Sequence, residues 1–178
     1  MQRADYPILE HDTSLPALIE PTSVIKPLAE MPEHCVMCFF QDAIASVCAE
    51  SPVIAQLGSE IGKNPIYGLT HAGQQVAVVH AGVGAPLSGA FLDELIALGA
   101  KKFIACGGAG VLDKTIDVGN VVIPESAIRD EGTSYHYLPP SREVSAHPDG
   151  IQAIKSTLEA HEVPYVVGKT WTTDGVYR

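Results

Sequence analysis

A short apolar run ends abruptly in glycines in the sequence Phe103-Ile-Ala-Cys-Gly-Gly-Ala-Gly110. An earlier apolar run, Gln75 to His80, ends in a similar turn, Ala81-Gly-Val-Gly-Ala-Pro86. The apolar residues between the two turns have helical spacing, with Pro86 at the start and Gly99 at the end. The order strand, glycine turn, helix, strand, glycine turn is typical of an α/β fold with a parallel sheet.

The position of both glycine turns indicates where a ligand would bind. Ligands of open α/β sheets lie outside the carboxyl ends of the strands, so both turns should lie on one rim. Glycine also lets the backbone approach a ligand closely. The alternative is that these glycines serve only tight turns and close helix packing.

The composition restricts the classes of function. The chain has 178 residues, 46% of them hydrophobic, enough for one domain with a sizeable core. Its formal net charge of -10 argues against a broad nucleic-acid-binding face. No apolar stretch approaches the roughly 20 residues of a membrane span, and the N-terminus lacks the apolar region of a signal peptide. We expect a cytoplasmic protein without nucleic-acid or membrane partners.

The four cysteines, Cys35, Cys38, Cys48 and Cys106, do not have the spacing of a secreted disulfide framework. Cys35 and Cys38 form a C-x-x-C pair, which is compatible with redox chemistry or half a zinc site. The surrounding apolar run predicts a buried strand, in which residues three apart point to opposite faces. We therefore interpret both as small core residues and expect no metal site.

The first 34 residues contain five prolines, too closely spaced for a long helix or a central strand. They predict an N-terminal arm, 1–34, that packs with its apolar side chains on a body formed by 35–178 or on a neighbouring subunit. Strands are predicted at 35–40, 75–80, 103–106, 120–124 and 164–167, helices at 41–49, 86–98 and 148–161, a hairpin turn at Gly73–Gln74, and irregular segments around Gly58 to Pro65 and at 127–137. The expected fold is three-layer α/β/α around a mixed, largely parallel sheet.

Three glycine-containing blocks follow one another, Gly82-Val-Gly-Ala-Pro86, Glu94-Leu-Ile-Ala-Leu-Gly99 and Gly107-Gly-Ala-Gly110. Later blocks are Asp117 to Pro124, Arg129 to His136 and Thr172 to Tyr177. In this order the blocks resemble the nucleoside phosphorylases of the purine and uridine phosphorylase superfamily. The resemblance implies phosphate-dependent cleavage of the glycosidic bond to free base and ribose 1-phosphate, with phosphate as co-substrate and no cofactor.

The resemblance also implies where nucleoside and phosphate bind, although it identifies no catalytic residue. Backbone N–H groups of Gly107, Gly108 and Ala109 would bind phosphate. The family usually has an Arg two residues before this turn and a Ser or Thr within it, whereas this chain has Ala105 and Gly108. The implied nucleoside-binding residues are Arg129, Tyr135, His136, Thr172, Thr173, Asp174, Tyr177 and Arg178.

Several alternatives remain open for these residues and for the reaction. His136 could be a hydrogen-bonded surface residue, Asp174 a helix cap and Tyr177 a core residue. Because the Arg and the hydroxyl are missing, a nucleosidase that uses water is an alternative, as is a nucleoside-binding protein without turnover. The base could be a purine or a pyrimidine.

Family members continue past the position of Arg178 with further elements of the fold. The resemblance therefore implies that C-terminal elements are missing here. We expect this chain to be weakly active or inactive, to expose apolar surface, and to form a homodimer or a higher homo-oligomer.

Overall fold

The computed structural model describes residues 3–10, 15–60 and 62–177. The chain divides into two compact units. The first contains residues 16–108, and the second contains residues 1–15 together with 109–178. The predicted α/β class is confirmed, since each unit combines helices with a β-sheet. The division into an arm, 1–34, and a body, 35–178, stays a prediction.

The first unit is built on a five-stranded mixed sheet in the order β2-β3-β4-β1-β5. Strands β4, β1 and β5 are parallel, whereas β2, β3 and β4 are antiparallel neighbours. The strands are β1 (His34–Cys38), β2 (Val53–Ser59), β3 (Gly62–His71), β4 (Gln74–His80) and β5 (Lys102–Cys106), and the helices are α1 (Pro21–Val24), α2 (Gln41–Val47) and α3 (Ala85–Leu98).

Helices cover both faces of this sheet, as the predicted three-layer arrangement requires. Cys35 and Met37 of β1 belong to the core beneath α3, with its Phe91 and Leu95. Cys38 belongs to a second core cluster, together with Ile44, Cys48 and Val78. Because β1 alternates between these cores, the two cysteines of the C-x-x-C pair lie on opposite faces, as predicted.

Helix α3 begins and ends at glycines with positive φ. Gly84 is the N-cap residue with φ 86°, and Gly99 follows the last helical residue with φ 125°. Gly99 N donates to the carbonyl oxygens of Leu95 and Ile96, at 3.2 and 3.0 Å. The helix predicted at 86–98 is therefore confirmed, including its terminal glycine.

Replacing Gly99 by alanine is expected to lower the free energy of unfolding by about 1–2 kcal/mol, because a side chain is strained at positive φ. Gly58 of β2 is the matched control, since its φ is not positive and a Cβ added there would meet no neighbouring atom within 4 Å. Gly58→Ala should be neutral or slightly stabilising. Denaturation followed by circular dichroism measures both, and an equal effect of the two substitutions would contradict the role given to Gly99.

The second unit contains a three-stranded sheet in the order β7-β6-β8. Strands β6 and β8 are parallel, and β7 is antiparallel to β6. The strands are β6 (Val121–Asp130), β7 (Glu143–Ser145) and β8 (Tyr165–Thr173), with helix α4 (Pro148–Ala160) and 3-10 helices at Pro7–Leu9 and Thr133–His136. Across the described residues, no helix combines the length and the apolar character needed to cross a membrane.

The four strands predicted from 75 onward are all present, two in each sheet. The prediction of an irregular segment from 127 was wrong, because β6 continues to Asp130 through pairing with β7 and β8. The irregular segment around Gly58 to Pro65 is likewise β-structure, in β2 and β3. The hairpin turn before β4 lies at Ala72 and Gly73, both with positive φ, one residue earlier than predicted.

Candidate functional site

The glycines of the turn after β4 are explained by local packing. Gly82 has φ 78°, and a Cβ there would lie 2.7 Å from Cγ of Leu87 in α3. Gly82 N also donates to Nδ1 of His80 at 3.1 Å. Only glycine allows this close approach between strand end and helix start.

The turn after β5, which is predicted to bind phosphate, differs in backbone conformation from the turn after β4. Neither Gly107 nor Gly108 has positive φ. A Cβ at Gly107 would lie 2.9 Å from Cδ2 of Phe39, and one at Gly108 would lie 3.4 Å from Cζ of Phe40. Close packing against Phe39 thus accounts for Gly107. Gly107, Gly108 and Ala109 are exposed, and their role as the anion site stays a prediction.

A cleft of about 790 Å³ opens in the second unit, near the carboxyl ends of β6 and β8. Its walls carry two aromatic rings, two guanidinium groups, a carboxylate and a hydroxyl, from Tyr135, Trp171, Arg129, Arg142, Asp130 and Ser141. Ligand sites of proteins are typically clefts of this size with a few polar groups. It is the candidate functional site of this unit.

Arg129 is a buried residue of the cleft whose hydrogen bonds fix the surrounding backbone. It is 6% exposed, and its guanidinium lies 4.6 Å from the centroid of the Tyr135 ring. The guanidinium donates to Ser134 Oγ at 2.9 Å, to Pro139 O at 2.8 Å, to Ser141 Oγ at 2.7 Å and to Leu138 O at 3.3 Å. Its donors therefore hold the segment that follows β6 in place.

Ser134 links Arg129 to a second buried charge, Glu131. Glu131 is 8% exposed and accepts hydrogen bonds from the Ser134 backbone N–H, at 2.9 Å, and from its hydroxyl. The same hydroxyl accepts from Arg129 Nε. The buried charges of Arg129 and Glu131, each of which would be costly to bury alone, are thus connected through the Ser134 hydroxyl.

Trp171 of β8 forms an exposed aromatic wall of the cleft. Its Nε1 donates to Asp130 Oδ2 at 3.0 Å, which fixes the indole against the end of β6. The side chain is 43% exposed. A planar ring held by its edge and open to solvent can stack on another planar group.

The structure brings together some of the predicted nucleoside-binding residues. Arg129 and Tyr135 line the cleft. Thr172 and Thr173 are register partners of Arg129 and Asp130. Thr173 Oγ1 accepts from Gly175 N at 3.1 Å, and Asp174 Oδ2 accepts from Gly132 N at 3.0 Å. Asp174 therefore caps the turn between β6 and the 3-10 helix Thr133–His136.

Two further predicted residues do not line this cleft. His136 is exposed on the 3-10 helix Thr133–His136, and Tyr177 is 90% exposed, so it is not the core residue considered as an alternative. Arg178 lies outside the described residues. The cleft instead includes Asp130, Ser141, Arg142 and Trp171, which the sequence had not indicated as site residues.

Comparisons with known proteins agree on one family. The family model described as the phosphorylase superfamily matches residues 33–178. Uridine phosphorylase of Treponema pallidum is 37% identical over 138 residues, which cover 72% of this chain and 52% of that protein. Guanosine phosphorylase of Halorubrum lacusprofundi is 29% identical over 141 residues, which cover 76% of this chain and 55% of that protein. The chain thus spans about half the length of these relatives.

A solved structure shows the same fold. The crystal structure of uridine phosphorylase from Vibrio fischeri ES114, in complex with 6-hydroxy-1-naphthoic acid, is similar with a TM-score of 0.75. The similarity covers 88% of this chain and 67% of that one, at 23% sequence identity. It supports the α/β architecture described above.

Proposed function

Because this chain belongs to the phosphorylase superfamily, we propose that the protein cleaves the N-glycosidic bond of a nucleoside with phosphate, releasing free base and ribose 1-phosphate. The observation that carries the proposal is the family match over residues 33–178. The cleft at the ends of β6 and β8 supports it, because such strand ends are where α/β proteins bind ligands. Phosphate is the co-substrate, and no cofactor is needed.

The nucleoside base is proposed to bind in the cleft. The exposed Trp171 ring suits stacking on a planar heterocycle, Tyr135 adds a second aromatic ring to the wall, and the Asp130 carboxylate can accept a hydrogen bond from a base N–H. Arg142 supplies an exposed guanidinium, whereas the donors of Arg129 are engaged by the surrounding segment. Arg142 is therefore the cation that can bind a ligand oxygen. Thr172 and Thr173 are proposed to contribute from the adjoining end of β8.

The reaction passes through a transition state with oxocarbenium character, so bond cleavage is favoured by negative charge near the sugar and by donors to the leaving base. Phosphate is proposed to bind the backbone N–H groups of Gly107, Gly108 and Ala109. These donors carry no formal charge, and a charge-assisted hydrogen bond is roughly twice as strong as a neutral one. Phosphate binding at this segment should accordingly be weak.

A phosphate-independent nucleosidase is the second candidate, and the residues at 105 and 108 favour it. Ala105 and Gly108 offer neither a cation nor a hydroxyl to phosphate. Water, as the alternative nucleophile, needs no cationic site. Phosphate dependence of base release distinguishes the two reactions.

The test uses Trp171, which is the single tryptophan of the chain and lies in the cleft. Titration with uridine, guanosine, inosine and adenosine should quench its fluorescence saturably for the preferred nucleoside. Arg142→Ala should weaken binding by roughly 10- to 150-fold, the loss of one charged hydrogen bond of about 1.5–3 kcal/mol, whereas Lys155→Ala on α4 serves as the matched control and should not weaken it. The absence of quenching by every nucleoside would contradict the cleft as the base site.

Base release is followed separately by chromatography, with and without phosphate. Phosphate-dependent release supports the phosphorylase, and release without phosphate supports the nucleosidase. Quenching without release of base identifies nucleoside binding alone.

The protein is further proposed to be a cytoplasmic homodimer or higher homo-oligomer. Large apolar side chains are exposed in each unit, and a second copy could cover them. They include Leu18, Phe40 and Val83 in the first unit and Val118, Val176 and Tyr177 in the second.

A further inference from the structure

Two cysteines lie side by side at the carboxyl ends of neighbouring parallel strands. Cys38, the last residue of β1, is the register partner of Cys106, the last residue of β5. Neighbouring strands lie about 4.7–4.9 Å apart, which falls within the roughly 4.4–6.8 Å between Cα atoms that a disulfide requires. Register partners of parallel strands also point to the same face. The strand spacing and the common face of the two thiols are therefore compatible with a disulfide.

The two thiols differ in access to solvent. Cys106 is exposed, whereas Cys38 is 5% exposed and belongs to the core cluster that includes Cys48. All are free cysteines. A dissolved oxidant would thus meet Cys106 first, with the buried Cys38 beside it as the second thiol.

We propose that Cys38 and Cys106 are a modification site at which hydrogen peroxide forms an intramolecular disulfide between β1 and β5. The Cys106 thiolate attacks one peroxide oxygen, the O–O bond breaks, and the products are a sulfenic acid and hydroxide, which is protonated to water. The Cys38 thiolate then attacks the Cys106 sulfur, and the S–O bond breaks. The departing hydroxide takes up the proton lost by Cys38, so two thiols and one peroxide give one disulfide and two waters.

The pH dependence of this step follows from the surroundings of Cys106. Partial desolvation of the Cys106 sulfur, followed by the hydrogen bond and the charge of the neighbouring Cys38, raises the pKa of Cys106 to about 11. Among the described residues, the titratable groups that pack or pair with Cys38 are Cys48, after α2, and His80 of β4, its other register partner. His80 Nδ1 already accepts from Gly82 N. Because the thiolate reacts, oxidation should accelerate roughly tenfold per pH unit below the pKa.

The disulfide would affect the glycine turn that follows β5. The cross-link would join the residue before Phe39 to the residue before Gly107. Phe39 and Gly107 already pack closely against each other. It would thus fix the segment to which phosphate binding is assigned above. The disulfide itself does not depend on that assignment or on nucleoside cleavage.

The experiment treats the chain with hydrogen peroxide at about pH 7, 8 and 9, blocks remaining thiols, and maps tryptic peptides without reduction. Cleavage after Lys102 and Lys114 isolates Cys106, while the other three cysteines share one peptide that ends at Lys63. The expected product links these two peptides and disappears on reduction. Its rate of formation should rise about tenfold for each of these pH steps.

Variants identify the partner of Cys106. Cys35→Ala and Cys48→Ala should still form the link, whereas Cys38→Ala should not. Cys106→Ser replaces an exposed residue, so it should fold and leave Cys38 reduced. Cys35, buried on the opposite face with its pKa raised to about 12 by burial, should stay reduced throughout. Linkage to Cys48, covalent dimers only, or Cys106 oxidised to sulfinic acid with Cys38 free would each overturn the proposal.

Discussion

Replacing Arg129 by alanine is expected to lower the free energy of unfolding of the second unit by about 3–5 kcal/mol, the cost of breaking a buried charge network. The substitution removes four hydrogen bonds and the ring contact with Tyr135. It also leaves Glu131 buried beside Ser134 without the positive charge. Urea denaturation followed by Trp171 fluorescence measures this loss, because Trp171 belongs to the same unit.

Two further variants distinguish the contribution of the buried hydrogen-bond network to the free energy of unfolding from the effect of removing any positive charge. Arg142→Ala removes an exposed guanidinium from the same cleft and should change the free energy of unfolding by less than about 0.5 kcal/mol. Arg129→Lys keeps the charge but lacks the planar fork of donors, so it should recover only part of the loss. An Arg129→Ala variant as stable as Arg142→Ala would show that the buried network contributes nothing to stability.

The parts of the fold predicted correctly are those with strong local signals. Helix α3 combines an early proline, a buried apolar pattern and a terminal glycine, and each feature favours the same boundary. Strands β4 and β5 are short apolar runs that end at glycines. In contrast, β3 contains Pro65 and Gly68, which favour a turn, and only pairing with β2 and β4 makes this segment a strand.

The second half of β6 was missed for a similar reason. Ser126, Arg129 and Asp130 have the composition of a loop, but they are held in the sheet by β7 on one side and β8 on the other. Their β-conformation therefore depends on residues far away in sequence. Local propensity cannot contain that information.

The candidate site was only partly predictable, because some of its residues belong to a recognisable sequence block and others reach the cleft only through the folding of distant segments. Arg129 and Tyr135 belong to a block that resembles a known family. Ser141 and Arg142 reach the cleft only because the segment after β6 folds around the Arg129 guanidinium. Trp171 reaches it through the register that pairs it with Ile128. Neither the fold of that segment nor the register is visible in the order of residue types.

Introducing Arg at position 105 and Ser at position 108 together is expected to strengthen binding of inorganic phosphate by roughly 10- to 150-fold, the equivalent of one charge-assisted hydrogen bond of about 1.5–3 kcal/mol. These are the residue types that the resembling family has there. Ala105 is exposed, so an arginine has room. Gly108 lacks positive φ, and a Cβ there would lie 3.4 Å from Phe40 Cζ, so a serine requires only a small shift of that ring.

Isothermal titration with inorganic phosphate measures the effect, and Ala105→Met with Gly108→Ala is the control that adds similar volume without charge or hydroxyl. The control should bind phosphate no better than the unchanged chain, because it adds no donor. Equal affinity of all three forms would place phosphate elsewhere than Gly107, Gly108 and Ala109. The same variants also test the reaction, since a cationic phosphate site accelerates base release only if phosphate is the nucleophile. If base release is unaffected while phosphate binds more tightly, water is the nucleophile and the nucleosidase is the correct assignment.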